Sequence, residues 1–134
     1  MQKKFILIAA ALALVASACS PGQPQISVES TTFSFGEVVN GEIVTQTMAI
    51  TNTGNAPLVV DAVSTTCGCT TASLEAMEIP PGESSQLTIR FDSGAHGPGA
   101  NGAQTRQVFI VSNDPAQPEL VISFDALVLA AADD

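Results

Sequence analysis

The strongest constraint on the fold is the alternation of apolar and polar residues in short segments of the chain. Residues 87–91 (LTIRF) place three apolar side chains on one face, and residues 119–129 place five on one face. Such period-two alternation is typical of half-buried β-strands. Residues 73–77 offer at most one helical turn. Shorter strand signals lie at residues 25–28, 32–35, 44–52, 58–64 and 106–112.

Turn signals separate these strand segments and indicate the class of the fold. They are rich in Asn, Gly and Pro, and they lie at residues 40–41, 53–55, 80–82 and 113–115. About seven short strands with such turns predict an all-β fold, an immunoglobulin-like antiparallel β-sandwich. The chain has no Trp and no widely spaced cysteine pair in this region. It therefore does not match an antibody-type domain with an inter-sheet disulfide.

The first residues of the chain predict export from the cytoplasm. A basic start, an apolar run at residues 5–15 and the small residues 16–18 form a signal peptide over residues 1–18. Cys19 follows directly, as in a bacterial lipobox, where the cysteine is acylated and becomes the N-terminus. Ala16 stands where that motif prefers Leu, so cleavage without acylation is the alternative. Acylation of Cys19 would anchor the protein to a membrane without spanning it.

One domain is predicted after the signal peptide. Residues 19–24 are small, polar or Pro and predict a flexible tether. Residues 25–129 have the length of a single sandwich domain, and residues 130–134 are predicted to form a disordered tail. Ser20 follows Cys19, where many lipoproteins kept at the inner membrane have Asp. The predicted location is therefore the cell envelope, with the outer membrane or cell surface favoured.

The charge of the chain restricts its partners. Without Lys3 and Lys4, two arginines remain against 13 acidic residues, which gives a net charge of −11. A chain this acidic is repelled by the phosphates of nucleic acid, so nucleic-acid binding is not expected. The partner that we expect is a protein at the cell envelope.

Six short motifs occur in a characteristic order. They are FSFGEV at residues 33–38, NTGNAPL at 52–58, CGCT at 67–70, IPPG at 79–82, Phe91, and VSND at 111–114. In this order they resemble the bacterial domain-of-unknown-function family 1573, which is similar to the ASH/Hydin-like branch of immunoglobulin-like sandwiches. The resemblance implies a secreted or lipid-anchored sandwich. Related domains act mostly as scaffolding or protein-binding modules.

Cys67 and Cys69 form the one cluster of reactive side chains in the sequence. On an extended strand their Cα atoms would lie roughly 6.5 Å apart, near the upper limit for a disulfide. Gly68 could let the backbone close further. Three interpretations remain open: a structural disulfide or pair of buried thiols, a redox-active dithiol, and a site for a soft metal such as Cu(I) or zinc. His96 lies far along the chain, so zinc would need carboxylates or a second molecule as further ligands.

A glycine-rich loop is predicted over residues 92–103. Gly97, Gly99 and Gly102 match G-x-G-x-x-G, but the segment leads into a strand and not into a helix, so it does not predict dinucleotide binding. One interpretation is a flexible surface loop with a solvated histidine. The other is a partner-binding loop at one end of the sandwich, with His96, Pro98 and Asn101 as its candidate contact residues.

The sequence contains no constellation that supports catalysis. It has one histidine, and its carboxylates and hydroxyls show no nucleophile–base spacing. We therefore expect no enzymatic activity and no cofactor. The predicted function is non-enzymatic protein binding or scaffolding by a lipid-anchored envelope protein. The alternative is soft-metal or thiol-redox handling by the segment Cys67-Gly68-Cys69.

Overall fold

A computed structural model describes residues 21–132, which form nine β-strands. The predicted signal peptide, the lipidation site Cys19 and the last two residues lie outside the described residues. The strands are β1 (Ile26–Val28), β2 (Thr32–Val39), β3 (Ile43–Asn52), β4 (Leu58–Thr65), β5 (Thr70–Leu74), β6 (Glu78–Ile79), β7 (Ser84–Asp92), β8 (Gly102–Ser112) and β9 (Glu119–Leu129). Among residues 21–132, no helix is long and apolar enough to cross a membrane.

The strands form two sheets. The first sheet has the order β1-β3-β7-β5, and the second has the order β2-β9-β8-β4-β6. The prediction of an all-β fold is thus confirmed. The expectation of purely antiparallel pairing is wrong at one place, because β2 pairs with β9 in parallel. No hairpin joins these two strands, so nothing in the chain between them forces opposite directions.

The strand prediction missed β5 and β6. The single helical turn suggested for residues 73–77 is wrong, because Thr70–Leu74 pairs with β7 as an antiparallel strand. Strand β8 also begins at Gly102 and not at residue 106, since Gly102 pairs with Val128 near the end of β9. The loop predicted over residues 92–103 is therefore confined to residues 93–101.

The core lies between the two sheets and is built from the predicted apolar faces. The three apolar residues of residues 87–91 are fully buried, and the five alternating residues of β9 are at most 3% exposed. Phenylalanine rings join the sheets: Phe91 of the first sheet meets Phe124 of the second edge to face, with ring centroids 5.6 Å apart. Phe35 packs against both rings. Burial of these apolar side chains is the main source of stability for a domain of this size.

A buried asparagine links several segments at one end of the sandwich. Asn52 is fully buried. Its Nδ2 donates hydrogen bonds to the carbonyl oxygens of Ala56 at 2.7 Å and Ile79 at 2.9 Å. Its Oδ1 accepts from the backbone nitrogens of Gln25 at 3.2 Å and Gly54 at 3.0 Å. One side chain therefore satisfies backbone groups of β6, of the turn after β3 and of the residue before β1. A buried amide needs such partners to avoid a desolvation cost.

A buried carboxylate serves the same end of the sandwich. Asp114 is 2% exposed. Its Oδ2 accepts from the backbone nitrogen of Ile26 at 2.9 Å, and its Oδ1 accepts from Ala116 at 2.8 Å and Gln117 at 3.2 Å. Burial by itself would raise the pKa of Asp114. The three backbone hydrogen bonds outweigh it, so the pKa is lowered from 3.8.

Ordered contacts begin before the predicted start of the domain at residue 25. The backbone nitrogen of Gln23 donates to Oδ1 of Asn55 at 2.8 Å, and the nitrogen of Asn55 donates to the carbonyl of Gln23 at 3.0 Å. The last residues of the predicted tether are thus held against the turn at residues 53–55. At the other terminus, residues 130–132 have no regular secondary structure.

Replacement of Asp114 by Asn should destabilise the domain at neutral pH. The amide of Asn keeps only one acceptor oxygen, and its NH2 group cannot accept a hydrogen bond from the backbone N–H groups that the other carboxylate oxygen served. We therefore expect the free energy of unfolding to fall by about 1–3 kcal/mol. Because the pKa of Asp114 is lower in the folded state, its stabilisation exists above pH 3.8 and is lost as pH falls through the folded-state pKa. Urea unfolding at pH 7, 5, 4 and 3 should show the difference from wild type shrinking below pH 4. Asp61→Asn, at an exposed position on β4, is the control, and equal losses in both variants would contradict the prediction.

Replacement of Gly54 by Ala should destabilise the domain through a backbone clash. A Cβ there would lie 2.6 Å from the backbone nitrogen of Gln25 and 2.8 Å from the carbonyl carbon of Pro24. Backbone atoms cannot yield as a flexible side chain can, so we expect a loss of about 1–3 kcal/mol. A Cβ at Gly99 meets no atom within 4 Å. Gly99→Ala is therefore the control, and thermal unfolding that ranks both variants alike would refute the clash.

Candidate functional site

The segment Cys67-Gly68-Cys69 forms a turn between β4 and β5. The backbone is not extended here: the nitrogen of Thr70 donates to the carbonyl of Cys67 at 3.3 Å, as in a tight turn. The turn brings the Cα atoms of Cys67 and Cys69 to 5.3 Å, which is within the usual range for a disulfide. Their sulfur atoms are joined by a disulfide bond.

Neighbouring strands hold the backbone of this turn. The hydroxyl of Thr65 contacts two carbonyl oxygens, those of Cys67 at 3.1 Å and Thr70 at 2.9 Å. The nitrogen of Asp92, at the end of β7, donates to the carbonyl of Cys69 at 2.9 Å. Since these bonds use backbone atoms and a threonine hydroxyl, they do not depend on the sulfur–sulfur bond.

The two sulfur atoms have different surroundings. Cys69 is 3% exposed, whereas Cys67 is partly exposed. Nε of Arg106 donates a hydrogen bond to Sγ of Cys69 at 3.1 Å, and the hydroxyl of Thr70 lies 3.6 Å from the same sulfur. Sγ of Cys67 instead faces the backbone nitrogen of Cys69 at 3.2 Å. A positive charge therefore lies beside one sulfur, and solvent reaches the other.

Arg106 is fixed in orientation by its own strand. Its Nη1 donates to the carbonyl of Thr105 at 2.8 Å, and its Nη2 donates to Oε1 of Gln104 at 2.7 Å. The sequence analysis missed Arg106 as a site residue. A signal was present, because alternation along β8 places Arg106 on the same face as the buried Val108 and Ile110. A charged side chain that faces inward requires a polar partner.

His96 lies next to the cysteine pair. A ring nitrogen of His96 and the sulfur atoms of Cys67 and Cys69 all lie within 4.8 Å of one another. The prediction that His96 is too distant to take part is therefore wrong. The cause is strand pairing: Thr70 lies opposite Phe91, so the loop that follows β7 returns beside the turn that precedes β5. The side chain of His96 is nevertheless exposed, as expected.

An open groove runs beside Cys67. Its volume is about 280 Å³, and its lining residues are Thr66, Cys67, Thr105, Arg106 and Gln107. Hydroxyl, amide and guanidinium groups thus surround the exposed sulfur atom. Cys69 does not line the groove.

The loop at residues 93–101 is tied to the turn between β2 and β3. Nδ2 of Asn40 donates to the carbonyl of Gly97 and to Oδ1 of Asn101, both at 3.1 Å. Pro98 and Asn101 are exposed on this loop. Gly102, the last glycine of the G-x-G-x-x-G match, lies in β8, and within residues 21–132 no helix follows it. The segment therefore lacks the strand–helix context of a dinucleotide site.

Residues 26–128 match the family described as protein of unknown function (DUF1573). The chain belongs to this family. The resemblance drawn from the sequence motifs is thus confirmed. A search of the curated proteins found no match.

Solved structures support the fold of this DUF1573 domain. A protein of unknown function from Porphyromonas gingivalis W83 is 27% identical over 79% of this chain, with a TM-score of 0.65, and this chain spans 46% of it. The ASH/PapD-like domain of human CEP192 is 12% identical over 94% of this chain and 100% of that domain, with a TM-score of 0.64. The YadV chaperone is 13% identical over 81% of this chain and 54% of its own, with a TM-score of 0.59. The latter two likenesses concern the immunoglobulin-like fold alone.

The DUF1573 domain also exposes apolar side chains on the outer face of its second sheet. Val39, Leu127 and Leu129 are 39%, 42% and 37% exposed. Val39 lies directly opposite Leu129 across the β2–β9 pair, and Leu127 lies opposite Glu37. We call Val39, Leu127 and Leu129 the β2–β9 patch. It adjoins the loop at residues 93–101, because Asn40 follows Val39 and its backbone nitrogen donates to the carbonyl of Leu129 at 2.8 Å.

Proposed function

We propose that this DUF1573 protein is a non-enzymatic protein-binding module of the cell envelope, anchored by a lipid on Cys19. The observation that carries the proposal is the β2–β9 patch beside the loop at residues 93–101. The fold of the domain agrees with the proposal, since a similar sandwich occurs in YadV, which is described as a chaperone. An exposed sheet face is normally polar, and a group of adjacent apolar side chains on it is typical of an interaction surface.

The position of the β2–β9 patch suits a partner that approaches from the side opposite the tether. Strand β3 runs from Ile43, which pairs with Asp92 next to the glycine-rich loop, to Asn52, which precedes the turn at residues 53–55. That turn holds Gln23 at the end of the tether. The patch and the loop therefore lie at the far end of the sandwich, with His96, Pro98 and Asn101 as exposed residues at the rim of the surface.

The charges around the patch indicate the chemistry of the partner. Glu37 and Asp125 lie on the same outer face as the patch. Glu37 pairs with Leu127, and Asp125 lies two residues before Leu127 in β9, so its side chain points to the same side. Glu42 lies at the same end, where its Oε2 accepts from the nitrogen of Val39 at 2.9 Å. A matching partner presents apolar side chains flanked by Lys or Arg, because its apolar centre would cover the patch and its basic residues would face the carboxylates around it.

A site-specific crosslink tests this proposal. We expect a benzophenone amino acid at position 127 of the full chain to crosslink a discrete envelope protein in intact cells. The same group at Val59, which is 37% exposed at the other end of the sheet, is the matched control. Aspartate at Val39 and Leu129 should abolish the crosslink by placing charge in the apolar contact. Equal crosslinking at positions 127 and 59, or none at either, would exclude the patch as the binding surface.

Soft-metal binding is the second candidate function, and the position of His96 favours it. In the reduced state two thiolates and an imidazole would form a Cys₂His donor set, which suits Cu(I). The guanidinium of Arg106, 3.1 Å from Sγ of Cys69, opposes added positive charge. The two thiolates outweigh this repulsion, and the three donors suit Cu(I) better than zinc, since a closed zinc site needs four ligands.

Metal titration of the reduced protein tests the second candidate. We expect the anaerobically reduced full chain to retain one Cu(I) in competition with a chelator, as measured by native mass spectrometry. Cys67→Ser combined with Cys69→Ser should abolish retention, and His96→Ala should weaken it about tenfold through loss of one ligand. Asn101→Ala controls for changes in the loop outside the donor set. Retention that survives the double cysteine replacement would eliminate this site.

A further inference from the structure

We propose that the Cys67–Cys69 disulfide is a polarised thiol–disulfide exchange site that oxidises a dithiol in an extended segment of a partner protein. In this reaction Cys67 is the sulfur that is attacked, Cys69 is the leaving group, and Arg106 stabilises the departing thiolate. The inference goes beyond the proposed binding function and does not require the β2–β9 patch.

Access determines which sulfur is attacked. The groove beside the turn is lined by Cys67 and not by Cys69, and Cys69 is 3% exposed. A thiolate that enters from solvent therefore meets Sγ of Cys67 first. The rate of exchange depends on access to the attacked sulfur and on the stability of the leaving thiolate.

Arg106 provides the stabilisation of the leaving thiolate. Its Nε already donates to Sγ of Cys69 at 3.1 Å in the disulfide state. The contacts of its other nitrogens with Thr105 and Gln104 hold the guanidinium in place, so no reorientation is needed when charge develops on the sulfur. A hydrogen bond to a charged acceptor is considerably stronger than one to a neutral acceptor.

The reaction conserves atoms and electrons. One thiolate of the partner attacks Sγ of Cys67, the bond between Cys67 and Cys69 breaks, and its electron pair leaves on Cys69. The second thiol of the partner, as a thiolate, then attacks the partner sulfur of the mixed disulfide and releases Cys67. The partner gains a disulfide and loses two electrons, the cysteine pair gains them, and the two protons from the partner thiols protonate Cys67 and Cys69.

The turn is built to keep both sulfurs in place after reduction. The bond from the nitrogen of Asp92 to the carbonyl of Cys69, at 2.9 Å, and the contacts of the Thr65 hydroxyl involve no sulfur atom. The reduced thiols therefore stay close enough for the reverse reaction. A pair held in this way exchanges repeatedly without unfolding of the domain.

The lining of the groove indicates the class of substrate. Thr66, Thr105 and Gln107 place hydroxyl and amide groups around Cys67, and such groups can bind the backbone of a peptide. The groove volume of about 280 Å³ admits a few residues and not a folded body. A cysteine-containing segment in an extended conformation fits these limits.

Reaction of the oxidised wild-type protein with glutathione tests the polarity. Reduced glutathione is added, free thiols are alkylated with N-ethylmaleimide, and peptide mass spectrometry locates the glutathione. We expect at least a tenfold excess of glutathione on Cys67 over Cys69, with the alkyl group on Cys69. Glutathione distributed equally, or mainly on Cys69, would overturn the assigned polarity.

The role of Arg106 is tested by the rate of reduction by dithiothreitol. Arg106→Gln should slow reduction about tenfold, since it removes a hydrogen bond to a developing charge. Arg106→Lys, which keeps the charge, should recover part of the rate. Arg90→Gln replaces the other arginine of the mature chain, which is exposed on β7, and should leave the rate unchanged.

Thermal unfolding of each variant separates a loss of rate from a loss of structure. Equal reduction rates for Arg106→Gln and Arg90→Gln in folded proteins would overturn the role of Arg106. Where Arg106→Gln does not fold, Arg106→Lys and the glutathione experiment on the wild-type protein still decide the proposal. Loss of the crosslink from position 127 would not affect either result.

Discussion

Strand β7 pairs with β3 along one edge and with β5 along the other, and this double pairing determines where the candidate site lies. Because Thr70 lies opposite Phe91, the turn before β5 and the loop after β7 meet at one end of the sheet. The disulfide, His96 and the carbonyl contact of Asp92 all follow from that register. A shift by one residue would turn the buried face of β7 outward, so the packing of the core fixes the site as well.

The opposite end of the sandwich is stabilised by polar groups inside the protein. Asn52 and Asp114 are both buried, and each accepts hydrogen bonds from backbone nitrogens around β1. A strand of three residues cannot hold itself by apolar burial alone, and these two side chains supply the missing contacts. The domain thus has buried polar groups at the end where β1 begins and a disulfide bond at the opposite end.

The sequence predicted those parts of the fold that depend on local alternation. The long strands, their buried faces and the family were all recognisable because each signal lies within a few residues. Strands β5 and β6 were missed because they are short and polar, and pairing with distant strands stabilises them. The same limit applies to the site: alternation marks Arg106 as inward-facing, but only the β5–β7 register brings His96 to the cysteines. The parallel β2–β9 pair likewise has no local signature.

The hydrogen-bonded pair formed by Gln23 and Asn55 would set the geometry of attachment if Cys19 carries the proposed lipid. Gln23 lies four positions after Cys19, and a fully extended chain over those four steps reaches at most about 14 Å. A lipid on Cys19 would therefore hold the turn at residues 53–55 close to the bilayer. Strand β3 has 10 residues, which places the disulfide end roughly 33 Å further out. The height of the far end above the membrane would then have an upper limit, and this end would meet only those partners whose surfaces lie within that distance of the membrane.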